Sequence, residues 1–121
     1  MEVIDIVEKN FKMVGLNIRQ FDDSNKLVYS SLIPVGVEEH ETFNDLLKRM
    51  IEASEIDPGV KKDVKEYLMN PSGDRGVMFY IINGMGERVA LNLKERVADI
   101  SRRYGTNQIN MDIGRIVGRS L

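Results

Sequence analysis

Residues 101–121, SRRYGTNQINMDIGRIVGRSL, are the stretch whose reading decides the fold. Ile109, Ile113, Ile116 and Val117 recur at helical spacing, so a helix is expected over residues 109–120. Gly114 and Gly118 weaken it by roughly 1 kcal/mol each relative to alanine, although their spacing would let another backbone approach closely. The preceding helix runs from Lys94 through Val97, Ala98, Ile100, Ser101 and Tyr104 and stops at Gly105, with Thr106–Gln108 as the link. Two short helices meeting at a small residue and a tight turn suit a helix-turn-helix. In that reading Arg115 and Arg119 share one face of the second helix, and Arg102 and Arg103 hold phosphates. Asn107, Gln108 and Asn110 are the candidate base readers. The plainer alternative is a pair of packed terminal helices with exposed arginines.

The charge distribution favours the first reading. The chain has a net charge of −2, yet residues 94–121 hold six bases and three acids, leaving +3 there and −5 in the remainder. Such asymmetry within one chain hints at an anionic partner on the basic side.

Upstream, Val3, Ile4, Val7, Phe11 and Val14 lie at helical spacing before Gly15, which predicts an opening helix with a glycine stop. The period then changes to two. Residues 16–21 and 27–33 read as a β-hairpin around the turn Asp22–Asn25, closed by Pro34 and Gly36. Helical spacing returns through Phe43, Leu46, Leu47, Met50 and Ile51, with Thr42 and Asp45 placed as a capping box. Asp57-Pro58 gives an N-cap and a first-turn proline for another helix, with Val60, Val64, Tyr67 and Leu68 facing inward. Asn70–Gly76 (NPSGDRG) is the strongest loop signal and the candidate mobile segment. Residues 77–82 and 87–93 read as a second hairpin around Asn83-Gly84, in preference to one long helix over 87–104.

The expected architecture is a single α+β domain, residues 1–121, in the order α-ββ-αα-ββ-αα, with residues 94–121 as a basic two-helix C-terminal subregion. In element order this resembles profilin-like and roadblock-type dimerisation domains. That resemblance implies a protein–protein module whose hairpins supply a sheet edge or dimer seam.

Enzyme chemistry finds little support. The chain has no cysteine, one histidine and no serine in a nucleophile-elbow context, so triads and thiolate metal sites are excluded in their standard forms. His40 sits among Glu38, Glu39 and Glu41, but adjacent residues do not converge on one ion. Asn83–Arg88 (NGMGER) has Val89 where a dinucleotide fingerprint needs its third glycine, and PSGDRG lacks the lysine and hydroxyl of a P-loop. No metal and no cofactor is expected. Nor is a membrane span, since no run approaches about eighteen uncharged apolar residues. The N-terminal sequence lacks signal-peptide features, which predicts a cytoplasmic protein.

The expected function is a small non-enzymatic regulator or adaptor that binds nucleic acid, DNA before RNA, through its basic C-terminal helix-turn-helix-like unit, as a symmetric homodimer. The rival is a protein–protein interaction or dimerisation module with no nucleic-acid role. An enzyme built on an unrecognised pair of carboxylates is third.

Overall fold

The computed structural model describes residues 11–71, 73 and 75–115. Two hairpins and a lone C-terminal strand make one sheet. Strand β1 (Phe11–Phe21) pairs antiparallel with β2 (Leu27–Glu38), and β3 (Gly76–Ile82) pairs antiparallel with β4 (Arg88–Leu91). Strand β5 (Gln108–Gly114) lies between the hairpins, parallel to β1 and antiparallel to β3. The order is β2-β1-β5-β3-β4. In this five-stranded mixed sheet the first and last strands lie side by side and parallel. Helices α1 (Phe43–Glu52) and α2 (Pro58–Met69) connect the hairpins, and α3 (Val97–Tyr104) leads into β5.

The inward side chains explain the packing. Val14, Leu16 and Ile18 of β1, Phe79 and Ile81 of β3, and Ile109, Met111 and Ile113 of β5 alternate at period two and are all buried. They form one core with Phe43, Leu46, Leu47 and Met50 of α1, Val60 and Val64 of α2, and Val97 and Ile100 of α3. The helices therefore share one face of the sheet.

The observed element order, β-β-α-α-β-β-α-β, overturns the expected α-ββ-αα-ββ-αα and its terminal two-helix unit. Residues 108–114 are a strand, because both neighbours of β5 satisfy its backbone and the apolar residues 109, 111 and 113 all turn to the core. β-branched isoleucines suit that pleated position, and Gly114 is a poor helix residue. The remainder of the expected helix, residues 116–120, lies outside the described residues. At the other end, Phe11–Val14 belong to β1 rather than to a helix, and Gly15 continues the strand opposite Pro34. The rest of the expected opening helix also lies outside the described residues. Strand β2 runs on through Pro34 and Gly36 to Glu38, where a closing turn was expected. The likeness to profilin and roadblock domains rested on the overturned element order and has no further support.

The two central helices and the second hairpin agree with the sequence reading. Helix α1 carries a complete capping box: Asp45 N–H donates to Thr42 Oγ1 at 3.2 Å, and Thr42 N–H donates to Asp45 Oδ2 at 3.0 Å. Asp57 accepts from the backbone N–H groups of Gly59 and Val60 at the start of α2. Thr42→Ala is expected to cost about 1 kcal/mol in urea unfolding. The Thr42 backbone donor is the largest cause holding the Asp45 carboxyl below its ordinary range. A depressed folded pKa gives stability that is complete above the unfolded value near about 3.9 and is lost as pH falls through the folded one. Asp45→Asn should therefore cost stability at neutral pH and progressively less in that acid window.

Candidate interaction surface

Of the seven residues proposed from the sequence, the six that the structure describes do not come together. Arg102 and Arg103 lie in the last turn of α3. Arg102 pairs with Glu39 at 2.5 Å and with Asp99 at 2.5 Å, and Arg103 pairs with Glu95 at 3.6 Å. The Glu39 and Asp99 hydrogen bonds push the Arg102 guanidinium further up from its ordinary value, with Glu39 the larger cause. Asn107 is exposed in the loop before β5, where its carbonyl accepts from Gly15 N–H at 2.7 Å. Gln108 opens β5 with an exposed side chain. Asn110 is buried at the centre of the sheet, where it accepts from Asn17 Nδ2 at 3.0 Å and donates to the Tyr80 carbonyl at 3.4 Å.

Arg115 follows β5 at its far end, so the strand sets it roughly 20 Å from the α3 end of the sheet at about 3.3 Å per residue. It lines a cavity of about 450 Å³ with Asp23, Glu66, Met69, Asn70 and Arg75. Arg119 lies outside the described residues.

Sequence reading missed two charged clusters that long-range folding creates. Arg75, just before β3, gathers Asp23, Asp63 at 3.3 Å and Glu66 at 3.7 Å. Asp63 is buried and also accepts from Gln20 Nε2 at 3.0 Å, so this cluster fastens the loop before β3 to α2 and to the β1–β2 turn. Its carboxylates converge on a guanidinium, and among the described residues no group of three or more acids, histidines or cysteines is arranged to hold a metal.

The second cluster lies on the sheet face opposite the helices. Arg19 Nε donates to Asp112 Oδ1 at 3.0 Å, and its terminal nitrogen donates to Asp112 Oδ2 at 2.7 Å and to Tyr80 Oη at 3.0 Å. Asp112 and Tyr80 are buried. Burial pushes the Tyr80 hydroxyl up, reinforced by the Asp112 charge and opposed by Arg19 and Arg88. Every polar group named here has its partner within the chain, so the cluster reads as a structural crosslink between β1, β3 and β5.

The remaining distinctive surface is the outer edge of β2. Among the described residues no strand pairs with it, and it flanks exposed apolar side chains: Val28 at 56%, Leu32 at 62% and, on β1, Met13 at 53%. The direction of its backbone groups follows from one hydrogen bond. Gly15 N–H turns to Asn107, away from β2, so Gly15 and Pro34 form a non-hydrogen-bonded antiparallel pair. The backbone groups of Pro34 therefore point outward, and by alternation so do those of Ser30, Leu32 and Gly36. Gly36 confirms this, since its carbonyl accepts from Arg49 at 2.8 Å. Pro34 is tolerated because no N–H is needed towards β1.

No protein-family model matches the chain. No curated protein matches it either. Among solved structures, it is similar to staphylococcal enterotoxin-like X, a superantigen, at 9% identity and a TM-score of 0.36, over 91% of this chain and 73% of that one. A likeness at that level identifies no function. No helix among the described residues is long and apolar enough to cross a membrane.

Proposed function

We propose that the chain is a non-enzymatic, cytoplasmic protein–protein interaction module that binds through the outer edge of β2. The observation that carries this reading is a twelve-residue edge strand with outward backbone groups at Ser30 and Leu32, flanked by exposed apolar side chains. Edge strands of this kind recruit a further strand, with backbone hydrogen bonds supplying affinity and flanking side chains supplying selectivity. The arginines that favoured nucleic acid support this reading too, because Arg102 and Arg103 already face carboxylates of the same chain. Releasing them to phosphates would forfeit those pairs.

Two measurements test the proposal. A photo-crosslinking amino acid placed at Leu32 should give covalent adducts with protein in cells of the source organism. The same group at Met85, exposed at 83% in the β3–β4 turn, should give none. In parallel, fluorescence anisotropy of a labelled random duplex should show no binding at low salt, and Arg102→Glu/Arg103→Glu should change nothing. Duplex binding that weakens steeply with salt and is lost in that variant would replace this reading with the nucleic-acid one.

A further inference from the structure

The outward backbone groups of β2 fall on its even-numbered residues from Ser30 to Glu38, by the alternation fixed at Gly15 and Pro34. They are not equally available. At Glu38 both are taken: its N–H donates to Glu41 Oε1 at 2.9 Å, and its carbonyl accepts from Glu41 N–H at 3.1 Å. The other carboxylate oxygen of Glu41 holds Arg49 Nε at 2.8 Å, and the same guanidinium donates to the Gly36 carbonyl at 2.8 Å. Pro34 has no N–H to offer. Among the described residues nothing meets the outward groups of Ser30 and Leu32.

The Glu41 carboxylate thus accepts where a carbonyl of an added strand would accept, and the Arg49 guanidinium donates where its N–H would donate. The Glu41 side chain is 11% exposed, which limits competition from water, and Arg49 closes it off from the solvent side. The other edge of the sheet ends in the same way. The Asn83–Glu87 turn bond sets the alternation there, so the backbone groups of Asn92 face away from β3. Asn92 N–H donates to Glu95 Oε2 at 3.0 Å, its carbonyl accepts from Glu95 N–H at 3.1 Å, and Arg103 pairs with Glu95 at 3.6 Å. The spacing of Asn92, Glu95 and Arg103 repeats that of Glu38, Glu41 and Arg49. Both edge strands therefore end on one device, and at β2 its arginine reaches a further strand carbonyl.

We infer that Glu41 and Arg49 form a guard that closes β2 to strand addition from Gly36 to Glu38. The guard confines the interaction proposed above to the stretch around Ser30 and Leu32, so it rests on that reading and limits its site. Open edges recruit further strands, and side chains that occupy the outward groups prevent this. A partner strand finds complete backbone pairs at Ser30 and Leu32, a proline next, and beyond it groups already taken. Arg49 is a positioning residue here, held at Gly36 by Glu41.

Amide hydrogen exchange in the unaltered chain reads the guard directly. Glu38 N–H should exchange more slowly than the amides of Ser30 and Leu32, by roughly tenfold or more. Glu41→Ala/Arg49→Ala removes the carboxylate together with its cation. It should bring Glu38 to the rate of Leu32 and leave the amides of Ile33 and Val35, which face β1, unchanged. In sedimentation equilibrium this variant should associate several-fold more tightly than the wild type. Leu32→Lys added to it should abolish that gain, because a lysine on the edge opposes pairing. Arg49→Met, which opens only the Gly36 carbonyl, should show the same gain and serves where the double variant does not fold. A Glu38 amide as fast as that of Leu32 in the wild type overturns the inference. So does a folded variant that associates no more than the wild type, or whose association survives Leu32→Lys. Any of these with the Leu32 photo-adduct intact leaves the interaction reading standing. Absence of that adduct overturns the interaction reading and with it the confinement stated here.

Discussion

Arg19→Met is expected to lower the unfolding free energy by about 3 kcal/mol, read from urea denaturation with an unchanged slope. The substitution keeps the aliphatic stem and deletes the only cation that hydrogen-bonds Asp112 among the described residues. The Asp112 side chain is 5% exposed, so water cannot replace the guanidinium, and the buried carboxylate keeps only the Tyr80 hydroxyl at 3.3 Å. The low end of the usual range for breaking a buried pair applies, because the Arg19 side chain itself remains 28% exposed. Arg19→Met/Asp112→Leu should recover most of the loss, since it removes the uncompensated charge along with its partner. A single variant as stable as the wild type would mean that the pair contributes nothing beyond its desolvation cost.

Phe79→Ala should be more damaging, by about 3–5 kcal/mol. Phe79 is 1% exposed on β3, and its ring meets that of Phe43, the first residue of α1, with centroids 4.7 Å apart and planes tilted by 32°. That contact joins the sheet to the helix layer, so truncation removes both ring burial and an aromatic pair worth roughly 1 kcal/mol beyond area. Surrounding side chains are themselves fully buried and have little room to collapse into the void. Phe79→Leu should cost less, and Met85→Ala, at an exposed turn position, should stay within about 0.5 kcal/mol of the wild type. Equal losses for Phe79→Ala and Met85→Ala would contradict the packing described here.

These two sites also show where sequence reading reached and where it stopped. Phe79 sits in VMFYII, an apolar run followed by a turn signal, and its strand was legible. Arg19 and Asp112 are 93 residues apart, and nothing local in either segment announces the pair. Residues 109–113 admit two periods at once: Ile109, Met111 and Ile113 alternate as a strand, while Ile109 and Ile113 also extend to Ile116 and Val117 as a helix. The choice depends on β1 and β3, which supply backbone partners on both sides of β5. A similar ambiguity hid the start of β1, where Val14 ends one helical pattern and begins the alternation Val14, Leu16, Ile18.

The candidate surface was less legible than the fold. Basic residues near the C-terminus can be counted in a sequence, but their availability cannot. Arg102 is neutralised in part by Glu39, which the chain brings to α3 from the end of β2. Edge status is likewise a property of strand order, and the helix expected over residues 109–120 leaves the sheet without its central strand.

The sequence by itself determined the elements whose signals are local: the capping box and proline that start α1 and α2, the glycine that ends α3, and the turns of both hairpins. Those depend on bonds within a few residues and on the φ preferences of proline and glycine. Only the tertiary structure decided that residues 108–114 form the central strand, that Arg102 and Arg103 are paired, and that β2 is left at an edge. Each of those depends on hydrogen-bond or charge partners supplied from distant parts of the chain, and a strand has no satisfied backbone until such partners arrive.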